Sequence, residues 1–274
     1  MPYPRAHWYI LALFPLAGLA FWPQYLSQFA TASAEYHAHG ITASLWLLLL
    51  AAQSWTVHHD RRVLHRRLGM ASLLLFPLFF AGGAGIFLGM ADRFANAVSP
   101  FYTMYASRLA WLDIVGVGAF AWFYFEALRS RRKVHLHSRY MLGTLTPLIA
   151  PILGRLMPIL PPLSISGPQD FWKLGIGFQL ANLFVAALFF TLALRSGKHG
   201  RPFHLAAALT LLSALLYQTV GGMDWWKAFY AGLAPLPSAP FIMAAGVAGI
   251  LVAYAGWIAG KRDLIPPRPE ALPA

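Results

Sequence analysis

The chain has 274 residues, of which 58% are hydrophobic and only 11% are charged. Soluble domains usually carry about 25% charged residues, so this composition excludes an ordinary soluble domain and favours burial in lipid. The absence of cysteine excludes disulfides, iron–sulfur clusters, thiolate metal sites and cysteine nucleophiles. The net charge of +12 does not indicate nucleic-acid binding, because the basic residues lie in short loops between apolar segments.

Apolar segments alternate with these loops along the chain, and each is about the 20 residues that a helix needs to cross the hydrocarbon core. They predict an all-α fold, a polytopic membrane helix bundle of about eight transmembrane helices. We expect residues 1–264 to form one transmembrane domain and the Pro-rich residues 265–274 to form a disordered tail. The predicted spans are 8–29, 40–57, 68–90, 102–128, 140–160, 174–195, 204–222 and 238–260.

The basic residues are distributed unequally between the two sides of the predicted membrane. Most of the 21 Lys and Arg residues lie in alternate loops and at the two chain ends, a bias typical of the cytoplasmic side. The sequence therefore predicts an inner-membrane protein with both termini in the cytoplasm and with membrane lipids as neighbours. The opposite side keeps Arg93, Arg108, Arg155, Lys173 and Lys227.

Three of the basic loops carry histidine where an apolar span begins. Residues 62–69 read RVLHRRLG and residues 133–140 read KVHLHSRY, so both contain Leu-His-x-Arg. A third loop, residues 198–204, ends in His204. The pattern favours repeated helix hairpins that each begin with a histidine. The simpler alternative is that basic loops contain histidine incidentally.

His65 and His137 start different spans at the same predicted depth. Imidazole is a common axial ligand of haem, and two histidines from facing helices predict one b-type haem near the cytoplasmic face. Arg66, Arg67 and Arg139 are suited to pair with the haem propionates, since guanidinium groups bind carboxylates well. The alternative interpretation is that these side chains are solvated beside anionic lipid headgroups.

Glu35, His37 and His39 flank the opposite end of the second span. His37 and His39 predict a weak metal site only if the segment is extended, because residues two apart diverge on a helix. An incidental or structural role is the alternative. The histidine spacing does not match the His boxes of membrane di-iron oxygenases or the HExxH zinc motif.

Asp113 lies near the middle of the fourth predicted span. A charge at that depth costs at least about 2.5–3.5 kcal/mol on insertion scales, so we expect it to pair with Arg108 or Arg155. These residues predict an intramembrane polar pocket, whereas a structural ion pair without a ligand is the alternative. The predicted polar site consists of Arg108, Asp113, Arg155, Gln179 and Gln218.

Pro147 and Pro151 interrupt the fifth predicted span, which should make that helix irregular. The hydroxyl groups of Thr144 and Thr146 can satisfy backbone groups that the prolines leave free. We expect the resulting kink beside Arg155.

Part of the chain resembles a known pattern, carried by His39-Gly40, Trp46, Gln53, residues 65–69, residues 137–141 and Arg155. Over about Glu35–Leu156 it is similar to an uncharacterised bacterial family of multi-pass membrane proteins. More distantly it resembles the ascorbate-reducible transmembrane b-type cytochromes, which have a four-helix core and one haem in each leaflet. That resemblance implies His65 and His137 as the inner haem ligands. The outer pair is missing here, which leaves at most one haem.

The leading functional hypothesis is a membrane redox protein that holds one b-type haem and exchanges electrons with a lipid-soluble carrier such as a quinone. The second hypothesis is a transporter or small-ligand-binding protein built around Asp113, Arg108 and Arg155. The third is an accessory or assembly subunit that acts together with partner membrane subunits.

Overall fold

The computed structural model describes residues 2–262, so the predicted tail 265–274 lies outside the described residues. The described part of the chain is built from helices and turns without any strand, which confirms the all-α fold class. Its α-helices are α1 (Ala6–Leu11), α2 (Leu13–Phe21), α3 (Ala34–His58), α4 (Arg62–Ala95), α5 (Pro100–Arg129), α6 (Val134–Gly143), α7 (Thr146–Leu156), α8 (Trp172–Arg195), α9 (Arg201–Gln218), α10 (Asp224–Ala231) and α11 (Ser238–Arg262).

Seven helical segments of the described chain are long and apolar enough to cross a membrane. They correspond to the second to eighth predicted spans, and they make the chain a polytopic membrane helix bundle. The segments are Ala34–His58, Arg62–Ala95, Pro100–Arg129, Val134–Ile159, Pro168–Arg195, Arg201–Gly222 and Ser238–Lys261.

The first predicted span is a shorter apolar helix, Ala6–Phe21, that divides into α1 and α2. Helix α1 packs on α3, and α2 packs on α7. At the start of α1, the His7 ring lies 6.5 Å from the ring of His59, a residue of the loop that joins α3 to α4. At the end of α2, the Phe21 ring lies 4.7 Å from the Arg155 guanidinium. Helices α1 and α2 together therefore extend from one set of loops towards the other. That the chain crosses the membrane eight times stays a prediction.

The loops form two opposite faces. One, here called the basic face, holds loops 59–61, 130–133 and 196–200; the Tyr3 hydroxyl joins it through a 2.7 Å hydrogen bond with the Ser196 hydroxyl. The other, here called the Glu35 face, holds the start of α3 and loop 96–99, where Arg93 pairs with Glu35 at 3.3 Å. All the long helices run between these faces.

Helix α5 lies at the centre of the bundle, in contact with α4, α6, α7, α9 and α11. Helix α4 packs between α3, α5 and α11. Small residues permit the closest of these approaches, as is common between membrane helices. A Cβ atom at Gly249 of α11 would lie 2.8 Å from the Cα atom of Pro77 in α4, so that contact requires glycine.

The fifth predicted span is broken between α6 and α7, at Thr144 and Leu145. Pro147 has no N–H and occupies the first turn of α7, where that donor is not needed. As expected, the hydroxyls of Thr144 and Thr146 bond nearby carbonyls, at 2.6 Å and 2.7 Å. The expected position of the break was wrong, because it lies at the start of α7 whereas Arg155 lies near its end.

Gly249→Ala should lower the thermal stability of the detergent-solubilised protein, because the added methyl group forces α11 away from Pro77. Overpacking of this kind costs about 1–3 kcal/mol. Gly83→Ala, within α4, is the matched control, since its Cβ atom would meet nothing within 4 Å. Both substitutions gain helix propensity, so equal melting temperatures for the two variants would contradict the close contact.

Candidate functional site

A cavity of about 390 Å³ opens near the basic face between α3, α4, α5, α6 and α11. Its walls are largely apolar, with Leu50, Met70, Leu128 and Trp257 among the lining residues. The cavity also has His65 and His137 in its lining, which brings the two predicted haem ligands to one place. We call it the basic-face cavity.

The two histidines occupy equivalent positions, since each is the fourth residue of its helix, α4 or α6. The His137 Nδ1–H donates to the carbonyl of Ala127 at 2.8 Å, which fixes the tautomer and leaves Nε2 as an acceptor. His65 lies close to the backbone of Gln53, and its Nδ1 is buried without a partner among the described residues. Each ring therefore has a nitrogen without a partner among the described residues, which is Nε2 in His137 and Nδ1 in His65.

The third histidine of the repeated pattern does not reach this cavity. His204 is also the fourth residue of its helix, α9, but it is exposed and lies beside Phe190. His199 of the same loop stacks on His135, with ring centroids 5.0 Å apart. Of the three histidines at similar helix starts, two therefore line the cavity and one lies on the surface.

The arginines around the cavity differ from the predicted set. Arg66 lines it, as expected, but Arg67 lies in a separate groove with Arg61 and Asp60. Arg139 is turned away, since it donates to the carbonyl of His135 at 2.8 Å and its guanidinium lies 5.2 Å from the Tyr3 ring.

Arg131 and Arg132, which the sequence reasoning missed, take the places of those two residues in the lining. The basic run before α6 was the available signal. No carboxylate lines the cavity within the described chain, so its electrostatic potential favours an anionic or electron-rich occupant.

An aromatic layer closes the cavity on the side towards the middle of the bundle. Trp46 is completely buried, and its ring lies 4.9 Å from Phe120 and 5.3 Å from Tyr124. Phe76 stacks on Tyr124 at 4.3 Å, and Phe79 meets Phe120 edge to face at 4.9 Å. We call these five residues the aromatic layer.

The polar atoms of the aromatic layer are hydrogen-bonded to hydroxyl groups of neighbouring residues. The Trp46 indole N–H donates to the Thr144 hydroxyl at 3.1 Å. The Tyr124 hydroxyl and the Ser72 hydroxyl are 2.8 Å apart. The layer is therefore dense and has its polar groups satisfied, which suits it to separate the two halves of the bundle.

Asp113 and Arg155 lie on the Glu35 side of that layer. They are near enough to interact electrostatically, yet they form no direct ion pair in the part of the chain that the structure describes. The Asp113 Oδ2 atom is buried without a hydrogen-bonding partner among those residues. His39 lies close to the same guanidinium, so three ionisable groups from α3, α5 and α7 meet in this region.

The other three members of the predicted polar site lie elsewhere. Arg108 donates to the carbonyls of Tyr217 and Gln218, each at 3.2 Å, and so binds the C-terminal end of α9 rather than Asp113. Gln179 donates to the side chain of Gln218 at 3.2 Å and to the carbonyl of Ala214 at 3.0 Å. These contacts join α5, α8 and α9.

The predicted metal pair is separated by the helical conformation of its segment. His37 accepts or donates a 2.9 Å hydrogen bond with the Tyr25 hydroxyl and packs on Phe29. His39 instead lies beside Phe79 in the interior. Among the residues described, no group of three His, Asp or Glu side chains is placed to hold a metal ion.

Comparison of the chain with protein-family models, with curated proteins and with solved structures finds no match.

Trp46→Ala should destabilise the protein by about 3–5 kcal/mol, the usual cost of deleting a fully buried aromatic side chain. Trp122 of α5 is half exposed, so Trp122→Ala should cost less than about 1 kcal/mol. Denaturant unfolding in mixed micelles, followed by circular dichroism, measures both. Similar losses for the two variants would contradict the central role of Trp46.

Proposed function

We propose that this chain is a membrane redox protein that binds one b-type haem in the basic-face cavity through His65 and His137. The observation that carries the proposal is that two imidazoles from different helices line one cavity, each with a ring nitrogen available. Each histidine is the fourth residue of a helix that begins at the basic face, which supports a similar depth for the two rings.

The donor set of the cavity fits this cofactor. The volume, about 390 Å³, falls within the range of about 300–1,000 Å³ typical of small-molecule and cofactor sites. Apolar walls suit a macrocycle, and the cationic side chains of Arg66 and Arg132 suit its carboxylates. The buried, unpartnered Nδ1 of His65 is a polar atom that an added ligand would satisfy.

Each group of the chain has a definite role in this proposal. A bound haem would supply a one-electron redox couple. The Ala127 carbonyl orients His137 and raises the basicity of its free nitrogen, as backbone acceptors do for many metal-binding histidines. The apolar side chains of Leu50, Leu128 and Trp257 would limit the access of water to the bound group, and the aromatic layer limits the depth of the cavity.

The partner of such a centre would be a lipid-soluble electron carrier such as a quinone, because the cavity lies between membrane-spanning helices. The basic loops favour an inner-membrane protein with its basic face towards the cytoplasm. His65 and His137 would then hold the redox-active group on the cytoplasmic side.

The test is an absorption spectrum of the purified protein, recorded oxidised and then reduced with dithionite after expression with added haem precursor. We expect a Soret band and a sharp reduced α-band. His65→Ala and His137→Ala should each abolish the bis-histidine spectrum, whereas His204→Ala should retain it, because His204 holds the same helix position outside the cavity.

Size-exclusion profiles and helical circular dichroism should show that all three variants are folded. A folded, colourless wild-type protein would contradict the proposal. So would a full haem spectrum in the double variant His65→Ala/His137→Ala.

A further inference from the structure

The half of the bundle towards the Glu35 face holds ionisable groups that the haem proposal does not use. Asp113 is the fourteenth residue of α5, a helix of 30 residues, so it lies close to the middle of the bundle. On the side of the basic face it is followed, two turns later, by Phe120 of the aromatic layer. Asp113 is therefore the deepest ionisable group reached from the Glu35 side.

The groups around Asp113 do not neutralise it by direct contact. Arg155 donates through Nη1 to the carbonyl of Pro151 at 3.1 Å, and its guanidinium is held 4.7 Å from the Phe21 ring. The Arg155 Nε, the His39 Nδ1 and the Asp113 Oδ2 are all buried without hydrogen-bonding partners among the described residues. Several unmet donors and acceptors thus face one region.

Aromatic and charged side chains lie between the neighbourhood of Arg155 and the surface. The hydroxyls of Tyr36 and Tyr102 are 2.8 Å apart, and both side chains interact electrostatically with Arg155. The Arg93 guanidinium lies 4.9 Å from the Tyr36 ring centroid and 5.8 Å from that of Tyr102. Arg93 in turn pairs with Glu35 at 3.3 Å.

We propose that Asp113 is a proton-binding carboxyl group that exchanges its proton with the Glu35 face along the Tyr36–Tyr102 pair, with His39 and Arg155 as its polar neighbours. The aromatic layer blocks exchange with the basic face. This proposal stands independently of the haem.

The physical reason is the cost of an unpaired charge at this depth. A buried carboxylate must pair closely, bind a ligand or take up a proton, and Asp113 has no close pair among the described residues. Arg155 from α7 and Tyr230 from α10 interact electrostatically with Asp113. His39 and Tyr36 from α3 and Tyr102 from α5 lie near Arg155, and Arg93 of α4 pairs with Glu35 at the surface.

The experiment is labelling with the apolar reagent dicyclohexylcarbodiimide, located by peptide mass spectrometry. A protonated carboxyl group adds its O–H across one C=N bond, and the adduct rearranges to an N-acylurea that retains the whole reagent without a leaving group. Asp113 should be labelled at neutral pH and protected at alkaline pH. Glu126, which pairs with Arg129 at 3.1 Å, is the matched carboxylate that should stay unlabelled.

Sidedness is tested in proteoliposomes whose internal and external pH are set separately. Because the chain has no cysteine, a single Asp224→Cys substitution reports the orientation of each preparation. Labelling of Asp113 should follow the pH on the Glu35 side alone. The double variant Tyr36→Phe/Tyr102→Phe should slow the response of this labelling to a pH jump several-fold.

Arg155→Gln should extend labelling of Asp113 to higher pH, because a charge that favours the carboxylate is removed.

Two results would overturn the proposal. One is an Asp113 that is labelled only after unfolding in dodecyl sulfate, which would identify a permanently ionised structural pair with Arg155. The other is labelling that follows the pH of the basic face.

Discussion

The packing of aromatic rings around Trp46 is the constraint on which the rest of the bundle depends. Four rings surround its indole, which has no exposed surface, and the Thr144 hydroxyl accepts its N–H. In lipid, helices gain little by hiding apolar side chains from one another, so close packing and interhelical hydrogen bonds hold them together. Trp46 supplies both between α3, α4, α5 and the break before α7.

The spacing of residues along α3 and α4 explains how polar groups come to lie on both sides of the aromatic layer. Residues seven apart lie on nearly the same face of a helix. On α3 this stripe carries His39, Trp46 and Gln53. On α4 it carries His65, Ser72, Phe79, Ile86 and Arg93.

The stripe on each helix is buried at its aromatic residue and half-buried at its ends, and it passes from polar to aromatic and back to polar. The basic-face cavity lies at one end, where imidazoles and arginines meet without a carboxylate from the described residues. Asp113, His39 and Arg155 lie at the other end. This layering allows two different chemistries in one bundle, because neither polar region contacts the other.

Much of this arrangement can be predicted from the sequence, and the limits have physical causes. The long apolar runs determine the spans, since the length needed to cross a membrane is fixed. The shared Leu-His-x-Arg pattern was enough to pair His65 with His137. The direction in which each arginine side chain points was not predictable. Arg108 and Arg131 donate to carbonyl groups of residues that are distant in the chain, whereas Arg139 donates to a carbonyl group of the preceding turn.

The Asp113 environment shows the same limit. Its depth follows from its position in the fourth span, but the choice between Arg108 and Arg155 depends on which helices touch α5. The partners of Arg108 come from α9, more than a hundred residues later. The Tyr36–Tyr102 hydrogen bond likewise joins distant residues, although the sequence does place both at helix ends near the Glu35 face.

The aromatic layer separates the two polar regions, and the accessibility of single cysteines tests that separation. Single substitutions Gln53→Cys, His39→Cys and Phe120→Cys can be made in a chain without other cysteines and treated with a small membrane-impermeant thiol reagent from either side. We expect Gln53→Cys to react from the basic face only, His39→Cys from the Glu35 face only, and Phe120→Cys from neither. Reaction of Phe120→Cys, or reaction of either polar position from both faces, would contradict the account.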